Sequence, residues 1–110
     1  MREFMSQEEI NRNKNLIISF VNNAIIQIDG VAKELNVKSK LGISTMNSKN
    51  IHVYFMGKEV TIDIYISVIY GYSVPHVVFL VQDKIINSVK ESTDFDVKSV
   101  NVHVSNVIFA

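Results

Sequence analysis

The sequence predicts an α/β protein, specifically an α+β two-layer sandwich: a three-stranded mixed sheet with two helices on one face, in the order α-β-β-α-β. Three observations lead to this fold class. A helical apolar stripe comes first, two runs of alternating apolar residues follow on either side of a Gly-Lys pair, and a second helical stripe precedes a third alternating run. Each alternating run has one strongly apolar face, and the two amphipathic helices can cover it, which gives two packed layers.

The first helix is predicted to begin at about Asn13. Its apolar residues recur every three or four positions and form one stripe: Ile17, Ile18, Val21, Ala24, Ile25 and Ile28. Gly30 falls just beyond it, where a left-handed residue often closes a helix. Residues 1–12 show no clear period and are predicted to be a flexible N-terminal tail, with Met5 as an alternative start of the chain. Residues 36–50 are predicted to form a long loop.

The two alternating runs predict a β-hairpin. Residues 51–56 and 59–70 have an apolar side chain at every second position, and Gly57 and Lys58 separate them. Gly57 supplies the positive φ of a type II′ turn. The resulting register pairs apolar residues with each other on one face: Phe55 with Val60, Val53 with Ile62 and Ile51 with Ile64. A slip of one residue would mix the two faces, so this register is strongly favoured.

A second helix is predicted from its N-cap, Ser73, to about Ser92, with Pro75 tolerated in the first turn. Its apolar stripe consists of Val74, Val77, Val78, Val81, Ile85 and Val89. A turn at Thr93 and Asp94 leads into a third strand, which directs Val100, Val102 and Val104 toward the helices. If the second and third strands are parallel neighbours, the connection between them is a right-handed crossover.

The composition indicates a single domain over residues 13–110 and argues against several function classes. The chain has 110 residues, of which 47% are hydrophobic, so it can bury a real core. Its 11 basic and 11 acidic residues cancel, which gives no overall electrostatic attraction to nucleic acid or to an anionic membrane. With no cysteine, disulfides, thiolate metal sites and a cysteine nucleophile are excluded. The absence of a long apolar run or a signal-peptide pattern predicts a cytoplasmic protein that reaches a membrane only through a partner.

The candidate site is the sheet face opposite the helices, which we call the open face. By strand parity it carries His52, Tyr54, Asp63, Tyr65, Asn101 and His103. Two imidazoles and a carboxylate are potential zinc ligands, but no compact ligand motif accompanies them. We therefore predict no metal, no cofactor, no small-molecule substrate and no catalytic residue. Two interpretations remain open: a solvated face with a cross-strand His52–Asp63 pair, or an interaction surface, where tyrosine is enriched.

Several segments together match a known pattern. An alternating strand occupies residues 62–66, Tyr-Gly and an aliphatic-Pro helix start occupy residues 70–75, and Val-Asn-Val-His-Val at residues 100–104 precedes Phe109. The first helix closes on Ile-Asp-Gly-Val at residues 28–31. In these features the chain resembles, over roughly residues 13–109, the alkaline shock protein family of Gram-positive bacteria.

The chain also departs from that family's pattern. His76 follows the helix-start proline, where the family often has an acidic residue. Asp94 and Asn106 stand where the family has glycines. Both residue types tolerate the left-handed backbone region, so we expect turns to persist at these positions.

The resemblance implies a non-enzymatic cytoplasmic protein of the envelope stress response. Some members of the family self-associate and attach to the membrane through a membrane-anchored relative, so these are the expected partners. The alternative from another class is a small RNA-binding module that stacks bases on the open face. Zero net charge and the lack of a GxxG loop disfavour it, and the conceivable basic patch consists of Lys33, Lys38, Lys40, Lys49 and Lys58.

Overall fold

The computed structural model describes residues 5–32 and 50–109. Its elements are α1 (Gln7–Ile25), β1 (Ile51–Met56), β2 (Glu59–Ile69), α2 (Val74–Ser92) and β3 (Asp96–Ile108). The sheet order is β1-β2-β3, with β1 antiparallel and β3 parallel to the central β2. The predicted α+β fold class, mixed sheet and element order are confirmed. The loop predicted at residues 36–50 lies, apart from Asn50, outside the described residues.

Helix α1 begins earlier than predicted. Ser6 is its N-cap: the Ser6 hydroxyl accepts a hydrogen bond from the Glu9 backbone N–H at 3.1 Å, and the Glu9 carboxylate accepts one from the Ser6 N–H at 2.9 Å. This capping box satisfies two backbone donors at the helix start. The prediction of a flexible tail over residues 1–12 is therefore wrong for residues 7–12, which are helical. The apolar stripe does not extend into the first turn of α1. The capping-box hydrogen bonds, which the stripe does not reveal, mark where the helix begins.

Gly30 has a different role from the predicted one. Helix α1 ends at Ile25, and Gly30 does not have a positive φ, so it does not close the helix in the left-handed conformation. A Cβ atom at Gly30 would lie 2.5 Å from Val77 Cγ2 and 3.0 Å from Tyr72 Cδ2. The Gly30 carbonyl also accepts a hydrogen bond from the Ile69 N–H at 2.8 Å. Glycine is needed here because the backbone passes close to α2 and to the end of β2.

The hairpin register is confirmed. The three predicted apolar pairs occur, and His52 and Tyr54 lie opposite Asp63 and Thr61. Gly57 has a φ of 62°, while no non-glycine residue of the described chain has a positive φ. A type I′ turn needs positive φ at both central residues, so Lys58 excludes it and the geometry agrees with the predicted type II′ turn.

The core lies between the sheet and the two helices. Helix α1 contributes Ile17, Val21, Ala24 and Ile25, β2 contributes Val60, Ile62, Ile64, Ile66 and Val68, and α2 contributes Val77, Val81, Ile85 and Val89. The predicted cap of α2 is present, with the Ser73 hydroxyl accepting a hydrogen bond from the His76 N–H at 3.4 Å. Helix α1 packs against α2 and β1, and α2 also packs against β3. The helices thereby leave the other side of the sheet uncovered by any described element.

Strand β3 is less regular than predicted. Val100 is buried, while Val102 and Val104 are half-buried against the core. Its register with β2 shifts twice, at Lys98 and at Ser105, each of which is an extra residue in β3. The turn predicted at Thr93 and Asp94 is present as a bend between α2 and β3, although Asp94 does not have a positive φ. The turn expected at Asn106 is wrong, because Asn106 lies within β3. A bulge accommodates the extra residue at Ser105 without left-handed backbone.

Candidate functional site

All six residues predicted for the open face lie on it. Strand parity places them there, because their neighbours along each strand point into the core. Asp63 is half-buried and the others are exposed. The side chains divide into a row of three rings, one hydrogen-bonded pair and a separate tyrosine.

The row of rings crosses all three strands. Tyr65 and His103 are register partners, and their rings stack with centroids 4.5 Å apart and planes 18° from parallel. The His52 ring meets Tyr65 edge-on, at 6.2 Å and 89°. Both geometries are favourable for aromatic pairs. We call His52, Tyr65 and His103 the ring row, in which Tyr65 has a neighbouring ring on either side.

Asp63 pairs with Asn101. Their strands are in register at this point, and the Asn101 amide donates a hydrogen bond of 2.7 Å to Asp63 Oδ1. The alternative partner considered from the sequence, His52, lies opposite Asp63 on the other strand, but its ring approaches Tyr65. Asp63 and Asn101 therefore form a polar pair beside the ring row.

Tyr54 stands nearer the hairpin turn. It lies opposite Thr61, and about half of its surface is exposed. Beyond it the side chain of Met56 is also exposed. These two side chains extend the contact surface toward the turn.

The geometry of the open face suits contact more than chemistry. Within residues 5–32 and 50–109, no three histidine or acidic side chains come close enough together to hold a metal ion. Ser99 and His103 lie four residues apart on β3, a distance of about 13 Å, too far for a nucleophile and its base. A cavity of about 220 Å³ adjoins Tyr65, below the 300–1,000 Å³ typical of small-molecule sites.

A larger cavity lies away from the open face. Its volume is about 650 Å³, and Met5, Leu16, Lys58, Asp94 and Phe95 contribute to its lining. It sits where the start of α1, the hairpin turn and the end of α2 meet. Polar and apolar residues both contribute to its lining, and none of the six open-face residues does.

The end of β3 forms an exposed apolar segment that was not predicted as part of a functional surface. Val107, Ile108 and Phe109 are 49%, 38% and 80% exposed, and the Phe109 ring packs on Tyr70 at 4.6 Å. Three consecutive apolar residues in an exposed segment usually have a functional reason. The run is visible in the sequence, but alternation alone does not show that α2 fails to cover it.

Helix α2 also carries apolar residues on its outer side. Phe79, Leu80 and Ile86 are exposed, although the helix already buries a full apolar stripe. The stripe predicted for α2 does not include these three residues. They add a second apolar surface, on the opposite side of the molecule from the open face.

Neither helix of the described chain has the length and hydropathy that a bilayer crossing requires. No curated protein and no solved structure matches the chain. A model of the alkaline shock protein 23 family, described as having a cell envelope-related function, matches residues 3–109. This range covers both helices and all three strands, including the open face. The chain therefore belongs to the alkaline shock protein 23 family, and its function is related to the cell envelope.

Proposed function

We propose that this protein is a non-enzymatic interaction protein of the cell envelope, whose open face binds a second copy or a membrane-anchored relative. The observation that carries the proposal is the ring row. Three aromatic or imidazole rings lie in contact across the whole width of a sheet face that no described element covers. Family membership supports the envelope context.

The ring row suits binding for a physical reason. Association costs entropy whenever flexible side chains become fixed, at about 0.5–1.5 kcal/mol for each side chain with many rotamers. Tyr65 is already held between His52 and His103, and all three lie on a rigid sheet. Little side-chain entropy then remains to be lost on binding, and tyrosine contributes a large apolar surface with a polar end.

The hydrogen-bonded pair beside the rings supports specificity. A partner that covers Asp63 and Asn101 meets polar groups that already satisfy one another at 2.7 Å. Their desolvation on binding costs less than that of unpaired groups. The face thus combines an aromatic centre with satisfied polar neighbours, the usual anatomy of a protein interface.

The test is capture of partners from native cytoplasmic and membrane fractions by the purified protein, compared with Tyr65→Ala and His103→Ala. We expect each substitution to reduce capture at least tenfold, because truncating a residue at the energetic centre of an interface, where tyrosine is enriched, costs about 2 kcal/mol or more. Thr61→Ala, on the same face but outside the ring row, is the matched control and is expected to bind normally. Equal capture by all variants would contradict a role for the ring row.

Oligomeric state provides the second measurement. Light scattering over a range of concentrations detects self-association, and the same variants show whether the open face mediates it. A chain that stays monomeric and captures nothing from either fraction would contradict the whole proposal.

RNA binding remains the competing proposal. One face of Tyr65 is covered by the stacked His103 ring, which leaves less free ring surface for a base. Of the five lysines in the conceivable basic patch, Lys58 lies among the described residues, at the hairpin turn. Retardation of single-stranded RNA at low salt by the native chain, lost in Tyr65→Ala, would favour RNA binding over protein contact.

A further inference from the structure

We propose that residues 102–109 form a pairing edge, to which a second copy of this chain adds its own residues 102–109 as an antiparallel strand. We call this segment the free edge. The inference rests on the self-association in the proposed function and identifies a second surface for it, which shares only His103 with the ring row. It also explains why the end of β3 is apolar and exposed.

Strand β3 has one partner among the described strands. It pairs with β2, and no described strand lies on its other side. An edge strand exposes backbone N–H and C=O groups that can pair with another chain. Natural proteins usually block such edges with charges, prolines, bulges or covering side chains.

The first part of β3 has these protections. Asp96 and Lys98 are charged and exposed, and Lys98 lies at a bulge. The Gln82 side chain, from α2, donates a hydrogen bond of 2.9 Å to the Val100 carbonyl and so engages one backbone acceptor of the strand. Strand addition is disfavoured up to this point.

The free edge lacks most of these protective features. Residues 102–109 contain no Asp, Glu, Lys or Arg and no proline. Within the described chain, no side chain hydrogen-bonds to their backbone. Ser105 forms a bulge, but neither a charge nor a covering side chain accompanies it. The segment ends in the exposed residues Val107, Ile108 and Phe109, so it combines an open backbone edge with an apolar surface.

A second copy is the partner that fits this edge. A strand without Asp, Glu, Lys or Arg pairs with itself without placing such charges opposite each other, and the formal net charge of zero adds no repulsion between copies. Antiparallel pairing about a two-fold axis is self-complementary, as in most homodimers. Eight residues extend about 26 Å, enough for hydrogen bonds on both sides of the Ser105 bulge.

Such pairing also connects to the open face. A two-fold axis perpendicular to the sheet places the helices of both copies on the same side. The two three-stranded sheets then join into one, and the two open faces form one continuous surface. Two ring rows would thus be presented together to a membrane-anchored partner.

Site-specific crosslinking tests the geometry, because the chain has no cysteine of its own. In an antiparallel pair, the Cα atom of a residue on the two-fold axis lies about 5 Å from the Cα atom of the same residue in the second copy. This distance is within the Cα–Cα range of disulfides. Val104→Cys, Ser105→Cys and Asn106→Cys are oxidised separately in the full-length protein, with the exposed Ser19→Cys on α1 as control. We expect at least one of the three to form dimer tenfold faster than the control. Control-level rates for all three would overturn the proposal.

A charge substitution gives an independent readout. Ile108 and Ile86 are 38% and 37% exposed, on β3 and α2, so Ile108→Lys and Ile86→Lys introduce the same charge at matched exposure. Sedimentation should show self-association at least tenfold weaker for Ile108→Lys and unchanged for Ile86→Lys. Circular dichroism confirms that both variants are folded.

The outcomes separate this inference from the proposed function. If Tyr65→Ala abolishes self-association while Ile108→Lys does not, the free edge is wrong and the ring row stands. A native chain that is monomeric but captures a membrane partner contradicts the free edge alone. If Ile108→Lys abolishes dimer formation while Tyr65→Ala leaves both dimer and partner capture intact, the free edge stands and the ring row is wrong.

Discussion

The same three strands form both faces of the sheet, but one face is apolar and buried and the other is largely exposed. On the helix-covered face of β2, Ile62 and Ile64 are fully buried. On the open face, the residues between and beside them are Thr61, Asp63 and Tyr65, which are half-buried or exposed. Successive side chains of a strand point in opposite directions, so one strand specifies a core and a surface at once. The comparison shows that a shift of one position along a strand moves a substitution from the buried core to the exposed open face.

The largest expected effect comes from a charge placed on the covered face. Ile62→Asp puts a carboxylate at a fully buried position and also removes a packed side chain, at a cost of about 4 kcal/mol or more. Since small domains are stable by about 5–15 kcal/mol, we expect loss of most of the stability or unfolding. Thr61→Asp, one residue away on the open face, should change the free energy of unfolding by less than about 1 kcal/mol. Urea denaturation measures both, and equal effects would mean that the register is wrong.

A smaller effect should distinguish the two parts of β3. Val100 is 5% exposed and Val107 is 49% exposed. Val100→Ala should lower the free energy of unfolding by about 2 kcal/mol, since it removes buried methyl groups and leaves a cavity. Val107→Ala should lower it by less than about 0.5 kcal/mol. The two variants are compared by urea denaturation at protein concentrations too low for self-association. A large loss of stability for Val107→Ala would show that another part of the same copy covers the free edge.

The smallest effect tests how tightly the helix side is packed. Gly30→Ala places a Cβ atom 2.5 Å from Val77 Cγ2, and we expect a net loss of about 1 kcal/mol after the entropic benefit of replacing glycine. Val77→Ala removes the clashing methyl groups. The double variant should therefore be more stable than the sum of the two single effects predicts. Additive effects in thermal unfolding would show that the close approach of Gly30 to Val77 does not affect stability.

Much of the fold could be predicted from local patterns. The hairpin register follows from two alternating runs and one glycine, because a slip would expose the core residues. Helix α2 follows from its stripe and from Ser73 and Pro75 at its start. The start of α1 could have been found as well, since Ser6 and Glu9 have the capping-box spacing, but the apolar stripe alone does not reach it.

The candidate site was predictable in membership but not in contacts. Parity alone places the six residues on one face. It does not show that Tyr65 stacks on His103, or that Asp63 bonds Asn101 instead of pairing with His52. These contacts depend on which strands are neighbours and on the register of β2 with β3, and a parallel pair far apart in sequence leaves no local signal of either.

The sequence by itself determined the elements, their order and the two faces of each strand, because hydrophobic periodicity is a property of neighbouring residues. The tertiary structure alone decided three other things. It placed Gly30 against α2, shifted the register of β3 at Lys98 and Ser105, and left residues 102–109 at a sheet edge whose last three residues are exposed. Each depends on distances between segments that are remote in the chain, and a pattern of near neighbours does not encode such distances.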